Sequence, residues 1–280
     1  MIAMAIGLGM SIAVSSLYIS SRGASKTSDA AVEVRSNGRL ALQLLTEQLR
    51  MAGYGDYLSG WNGSRYKGST RTGWNASGIG YAVNGCDGRF TKDVNAPAGC
   101  GSVNADQASI ALAYHAATSS STNGANVDCV GDEAETDAAT GFQTVSNTYF
   151  IATDSNTQEP TLYCQGGGGS GVKMASPQPL VTGVEQFVIR YGVDINSDFS
   201  VDRVLTATEI RHEAAEKSPK YDFSNVQSVE ICLVIRSSQK GSVTLTDESL
   251  DCNEQKFASD GRYRQRFRTT VNIRNKTYRP

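Results

Sequence analysis

Met1-Ile2-Ala3-Met4-Ala5-Ile6-Gly7-Leu8-Gly9-Met10 begins a run that carries no charge as far as Ile19 and is apolar on every side of a helical wheel. At ~1.5 Å per residue the run spans ~28 Å, the thickness of a bilayer core, so residues 1–20 read as a transmembrane stem. From Val34 onward the pattern changes. Val34, Gly38, Ala41, Leu42, Leu45, Leu49 and Ala52 recur with helical spacing, while Arg35, Arg39, Gln43, Glu47 and Arg50 fall elsewhere on the wheel. Residues 21–53 are therefore expected to continue the same helix in amphipathic form, docked on a protein core through Leu42, Leu45 and Leu49. Gly53 stands where a C-cap glycine ends a helix, and Arg50 supplies the cation that complements the helix dipole.

Outward from this helix, the rest of the 280-residue chain is long enough for one sizeable domain over residues 54–280. The formal charge of −2 and pI of about 5.8 leave no global field to draw it to nucleic acid or anionic lipid. Twenty-eight glycines, with Ser, Thr and Asn between short apolar runs, predict a loop-rich β structure after the helix. Alternation marks strands at Gln107 to Ala116, Val145 to Ala152, Thr161 to Gln165, Phe187 to Val193, Val229 to Ile235 and Tyr263 to Arg274. The glycine run from Gln165 to Gly171 lacks the Gly-Lys-Ser/Thr end of a phosphate loop and reads as a flexible connection.

The wording of the helix is more specific than its pattern. Asn37-Gly38-Arg39-Leu40-Ala41-Leu42-Gln43-Leu44-Leu45, followed by Gln48-Leu49-Arg50-Met51-Ala52-Gly53-Tyr54, resembles the "ENGRFAL…LLxxDLRxAGY" block of the PilW minor pilins, within the type IV pilin superfamily. Two further blocks agree: Val181-Thr182-Gly183-Val184-Glu185-Gln186-Phe187 leading to Tyr191-Gly192-Val193-Asp194, and Arg262-Tyr263-Arg264 to Arg274-Asn275. The family's basic leader, Gly cleavage site and Phe-Thr-Leu-Ile-Glu start do not precede Met1, so no residue here is assigned as peptidase site or assembly glutamate. Arg22 and Lys26 beyond the stem would, by the positive-inside rule alone, leave the body in the cytosol, whereas the cysteines favour export.

The resemblance implies an α+β, type IV pilin-like fold: a long N-terminal α-helix packed on a mainly antiparallel β-sheet with loop-rich insertions. It implies a non-enzymatic protein that primes pilus assembly and sits in the tip complex. The protein would be anchored in the bacterial inner membrane with its body in the periplasm, then placed at the pilus tip. Other minor pilins, the major pilin, a PilY-type tip adhesin and the inner-membrane assembly platform would be its partners. A J-type pseudopilin of type II secretion and a DNA-capturing competence pilin are the alternatives.

Six cysteines, with no Cys-x-x-Cys and only two histidines, make a poor zinc site and a reasonable disulfide set. Pairing of sequence neighbours is expected: Cys86 with Cys100, Cys129 with Cys164, Cys232 with Cys252, each closing one local loop.

Four constellations are candidate sites. Trp61, Arg65, Tyr66, Arg71 and Trp74 interleave aromatics with cations, as a protein interface or a single-stranded nucleic-acid groove does, and the mildly acidic chain favours the interface. Arg262, Arg264, Arg266, Arg268 and Arg274 alternate with Tyr263, Phe267, Val271 and Ile273. Arg264 and Arg266 could meet DNA or an acidic partner, or simply form a solvated outer face. Asp194, Asn196, Asp198, Ser200 and Asp202 place oxygens at the alternate positions of a calcium loop. Phe199 stands where the turn glycine belongs and Leu205 where the bidentate Glu belongs, so a weak calcium site competes with an Asp-rich hairpin turn. His115, His212 and the carboxylates Asp128, Asp132, Glu133, Glu135 and Asp137 have no catalytic context, and no catalytic residue is expected.

Overall fold

The computed structural model describes residues 2–54, 82–91, 99–104, 106–115, 127–133, 144–167, 176–216, 220–240, 250–257 and 260–275, with the side chains of Ala3, Ala5, His115 and Thr144 outside that set. Helix α1 runs Ile2–Met51 without a break. Its two halves have different surroundings. From Ile2 to Ile19 every large apolar side chain is 56% to 81% exposed. Ser11 and Ser15 turn their hydroxyls back onto the carbonyls of Gly7 and Ser11, which satisfies them without water. Among the described residues no helix is long and apolar enough to cross a membrane, and the expected span takes in Met1, Ala3 and Ala5, which lie partly or wholly outside them.

In the second half Ala30, Val34, Gly38, Ala41, Leu45, Leu49 and Ala52 are buried at steps of four, four and three repeated, one stripe of a 3.6-residue helix. Leu45 and Leu49 are each 1% exposed, while Leu42 is half-buried at the margin of the same core. Phe267 lies directly on Gly38, where any side chain would meet its ring. The helix ends as the glycine predicts. Gly53 takes φ +74°, its N–H donates to the Ala113 carbonyl, and Asn275 Nδ2 donates to the carbonyls of Arg50 and Ala52, closing the end of α1.

Two antiparallel sheets follow, where one was expected. The first has the order β1 (Val83–Cys86), β2 (Ser109–His115), β3 (Thr144–Thr153), β4 (Pro160–Gly167), β5 (Gln178–Thr182), each strand beside its sequence neighbour. The second has the order β7 (Arg203–Leu205), β6 (Val184–Val193), β8 (Val226–Arg236), β9 (Arg264–Asn272). Strand periodicity reports which face is buried and not which strand is the partner, so the split was not visible in the pattern. Among the described residues a parallel bridge, Gln107 to Phe187, helps join the sheets. Gln165 and Gly166 pair with Thr148 and Asn147, so the start of the glycine run is strand and not connection.

The core lies between α1 and the sheets, with Phe187, Ile189, Tyr191 and Val193 of β6 and Val229, Ile231, Leu233 and Ile235 of β8 facing inward. On the opposite face of β8, Cys232 and Val234 are covered by Cys252 and Phe257. A short helix α2, Ala207–Ala214, occupies what reads as a charged segment. Thr206 and Glu209 form its capping box, and Asp87 accepts from the N–H groups of Ala207 and Thr208.

Candidate functional site

The arginine ladder is the densest charged constellation among the described residues, and the fold turns it inward on itself. Arg264 is 8% exposed and lies over the Phe257 ring, its centroid 5.0 Å away. Its guanidinium meets Glu185 and Asp260, each at 2.6 Å. Arg262 reaches Glu159 and the carbonyls of Ser237 and Ser238. Arg266 meets Glu254 at 2.6 Å and the Asp251 carbonyl, and Arg268 meets Glu230 and Glu254. Arg236 at the end of β8 joins Glu159 to Glu185. The Arg264 guanidinium holds the Asp260 carboxyl well below the usual carboxylate range, and the hydrogen bond from Arg266 lowers the Glu254 pKa. Because Glu159 sits in the β3–β4 turn, the network ties the first sheet to the second. Alternation placed Arg264 and Arg266 on an outer face, open to DNA or an acidic partner or simply solvated. The structure instead engages both with carboxylates of the same chain, and only Arg274 of the ladder is without an ion pair among the described residues.

The Asp194 to Asp202 loop spends its oxygens on its own backbone. Asp194 accepts from the N–H groups of Ser197 and Phe199 and from Gln227, and Asp202 from Ile195 and Asn196. Asp198 accepts from Ser200, which lowers its pKa, and Asn196 accepts from Asp198. Ser197 and Phe199 are held at φ +65° and +67°. Among the described residues no group of three or more acidic, Cys or His side chains is set to hold a metal. A calcium ion here would have to displace these N–H donors. Trp61, Arg65, Tyr66, Arg71 and Trp74 lie outside the described residues, as do Glu135, Asp137 and the side chain of His115. His212 is exposed on α2.

The three disulfides form as expected, Cys86–Cys100, Cys129–Cys164 and Cys232–Cys252, with Cα separations of 5.5, 6.3 and 5.8 Å inside the range a bridge requires.

What sequence reading missed is the work of the polar residues around the helix. Gln186 is 6% exposed. Its amide donates to Asp106 and Asp251 and accepts from the Cys252 N–H, so it holds the third disulfide loop on β6. Gly183 at φ +81° turns β5 into β6. Asn147, fully buried, donates to Gln48 of α1 and accepts from the Cys129 N–H. The Val181 to Phe187 and Arg274-Asn275 blocks thus have structural duties. They position the docked helix and leave its first half bare.

A long helix, half docked on antiparallel β-sheet and half bare, is the architecture expected of a pilin-like protein. Residues 148–275 match the family described as type IV pilus-assembly protein W, so the resemblance read from the sequence holds from within β3 to the residue that caps α1. Among solved structures a type IV-like pilin from Thermus thermophilus is similar, at 12% identity and a TM-score of 0.39, over 87% of this chain and 97% of that one. No curated protein matches the chain.

Proposed function

We propose that this chain is a minor pilin of the cell envelope that primes type IV pilus assembly and resides in the tip complex, in contact with other pilus components. One observation carries the reading. On the same helix that buries Leu45 and Leu49 in the domain, the large apolar side chains from Ile2 to Ile19 are each more than half exposed. Such a surface is costly in water, at ~25 cal/mol for each Å² of apolar area, and is satisfied either in lipid or among the stems of neighbouring subunits. The serine hydroxyls folded back onto the helix suit both surroundings. The family match and the inward-turned arginines support an assembly protein over a DNA receptor.

The experiment is deletion of the gene with pili counted by microscopy, alongside binding of the detergent-solubilised full chain to separately purified minor pilins. Loss of pili together with measurable binding is expected. Normal pilus number with no affinity for any minor pilin would overturn the reading.

A further inference from the structure

We propose that residues 127–133 form a proton-sensitive latch on the first sheet: with Asp128 protonated the loop stays seated by its own contacts, and with Asp128 ionised it stays seated only because the Cys129–Cys164 bridge ties it to β4. Asp128 is 5% exposed, pressed against Gly166 so closely that a Cβ there would collide with its carboxylate. One oxygen, Oδ1, accepts from the N–H groups of Val130 and Asp132. The other, Oδ2, is buried with no hydrogen-bond partner among the described residues. The groups facing it are Tyr114 of β2, Tyr149 of β3 and Asp132 of its own loop, with neutral Asn147, Gly166 and Cys164 around them and no cation among the described residues. A buried carboxylate with one oxygen unsatisfied and no counter-charge is the costly state, and the neutral acid is the comfortable one. Burial accordingly raises the Asp128 pKa against the pull of its N–H bonds. The sign follows: this seat is fully stable below the unfolded carboxylate pKa and weakens as pH rises through the raised folded value.

Apart from the Val127–Glu133 bridge within the loop, the described attachments to the sheet are the disulfide, the Cys129 N–H to Asn147, and Asp128 on Gly166. Asn147 also grips Gln48, so an unseated loop alters the polar contact that receives the last turns of α1.

The test is amide hydrogen exchange of residues 127–133 in the detergent-solubilised full chain, corrected for intrinsic rates, at about pH 5 and about pH 8. Wild type should protect the loop at both. The Cys129→Ser/Cys164→Ser variant should protect it at the lower pH and lose protection at the higher, and adding Asp128→Asn should erase that difference. Equal protection at both pH values in the double variant, or a pH dependence that survives Asp128→Asn, overturns the latch. Should the double variant also lose protection in β6 and β8, wild type supplies the measurement. Reduction of Cys129–Cys164 by a phosphine, relative to Cys86–Cys100 in the same sample, should be faster at the higher pH, and Asp128→Asn should level it. A ratio independent of pH, or unchanged by Asp128→Asn, overturns the latch equally.

Discussion

Gly38 has no side chain because the Phe267 ring occupies that space. Gly38→Ala should therefore destabilise the domain by about 1–3 kcal/mol through overpacking, although alanine is the better helix former by ~1 kcal/mol, and Phe267→Leu should restore part of the loss. Denaturant melts of the three proteins check it. Arg264 raises a different question at the same scale, since its removal strands Glu185 and Asp260. Arg264→Ala should cost roughly 2–3 kcal/mol, less than a fully buried pair because Asp260 keeps 35% of its side-chain surface exposed. The Asp260 pKa is lowered by folding, so its contribution is present above the unfolded carboxylate pKa of about 4 and is lost as pH falls below it. An acid titration of stability should show that decline, and Asp260→Asn should flatten it. In the Asp194 to Asp202 loop the oxygens already hold N–H groups, so a chelator is expected to leave the melting temperature unchanged. A calcium-dependent rise abolished by Asp198→Ala would assign the loop to a cation instead.

At the scale of elements, α1 is two helices in one. Leu45→Asp should unfold the domain or destabilise it by more than ~3 kcal/mol, since a carboxylate would enter a site 1% exposed, whereas Ile6→Asp should leave the domain's melt unchanged and abolish assembly. Circular dichroism melts and pilus counts separate the two. This division was legible in the sequence because helical periodicity from Val34 to Ala52 is local information, as is the alternation of β6 and β8. Helix α2 was not read from the sequence, because its apolar positions are too few for a periodic signal and only the capping box of Thr206 and Glu209 marks it. The second sheet and the duties of Gln186, Asn147 and Asn275 were not legible either. The sheet split depends on which strands pair, and the three side chains on partners 65 or more residues away, such as Gln186 with Asp251 or Asn147 with Gln48, and no local pattern encodes either. Arg264 misled for the same reason, because alternation gives its face and says nothing of the carboxylates that fold over it.

Over the whole molecule the three disulfides close loops within single sheets or beside them, while the Glu159–Arg236–Glu185 network joins sheet to sheet. Alkylation of the denatured, unreduced protein should label almost no thiol. Deleting Cys129–Cys164, with 35 residues between its ends, should cost about 0.8 kcal/mol more than deleting Cys86–Cys100, with 14, from loop-closure entropy. Calorimetry of the two double-serine variants measures the difference. The capping of α1 by Asn275 has a consequence for how such a chain is made. Helix α1 leaves the ribosome well before β8, β9 and Asn275, which receive it. While the strands that receive it are still being made, Val34, Leu45 and Leu49 have no surface to rest on, so the newborn chain must be shielded along that stripe until residues 264–275 arrive, and a ribosome stalled before Arg264 should leave a product that proteases remove.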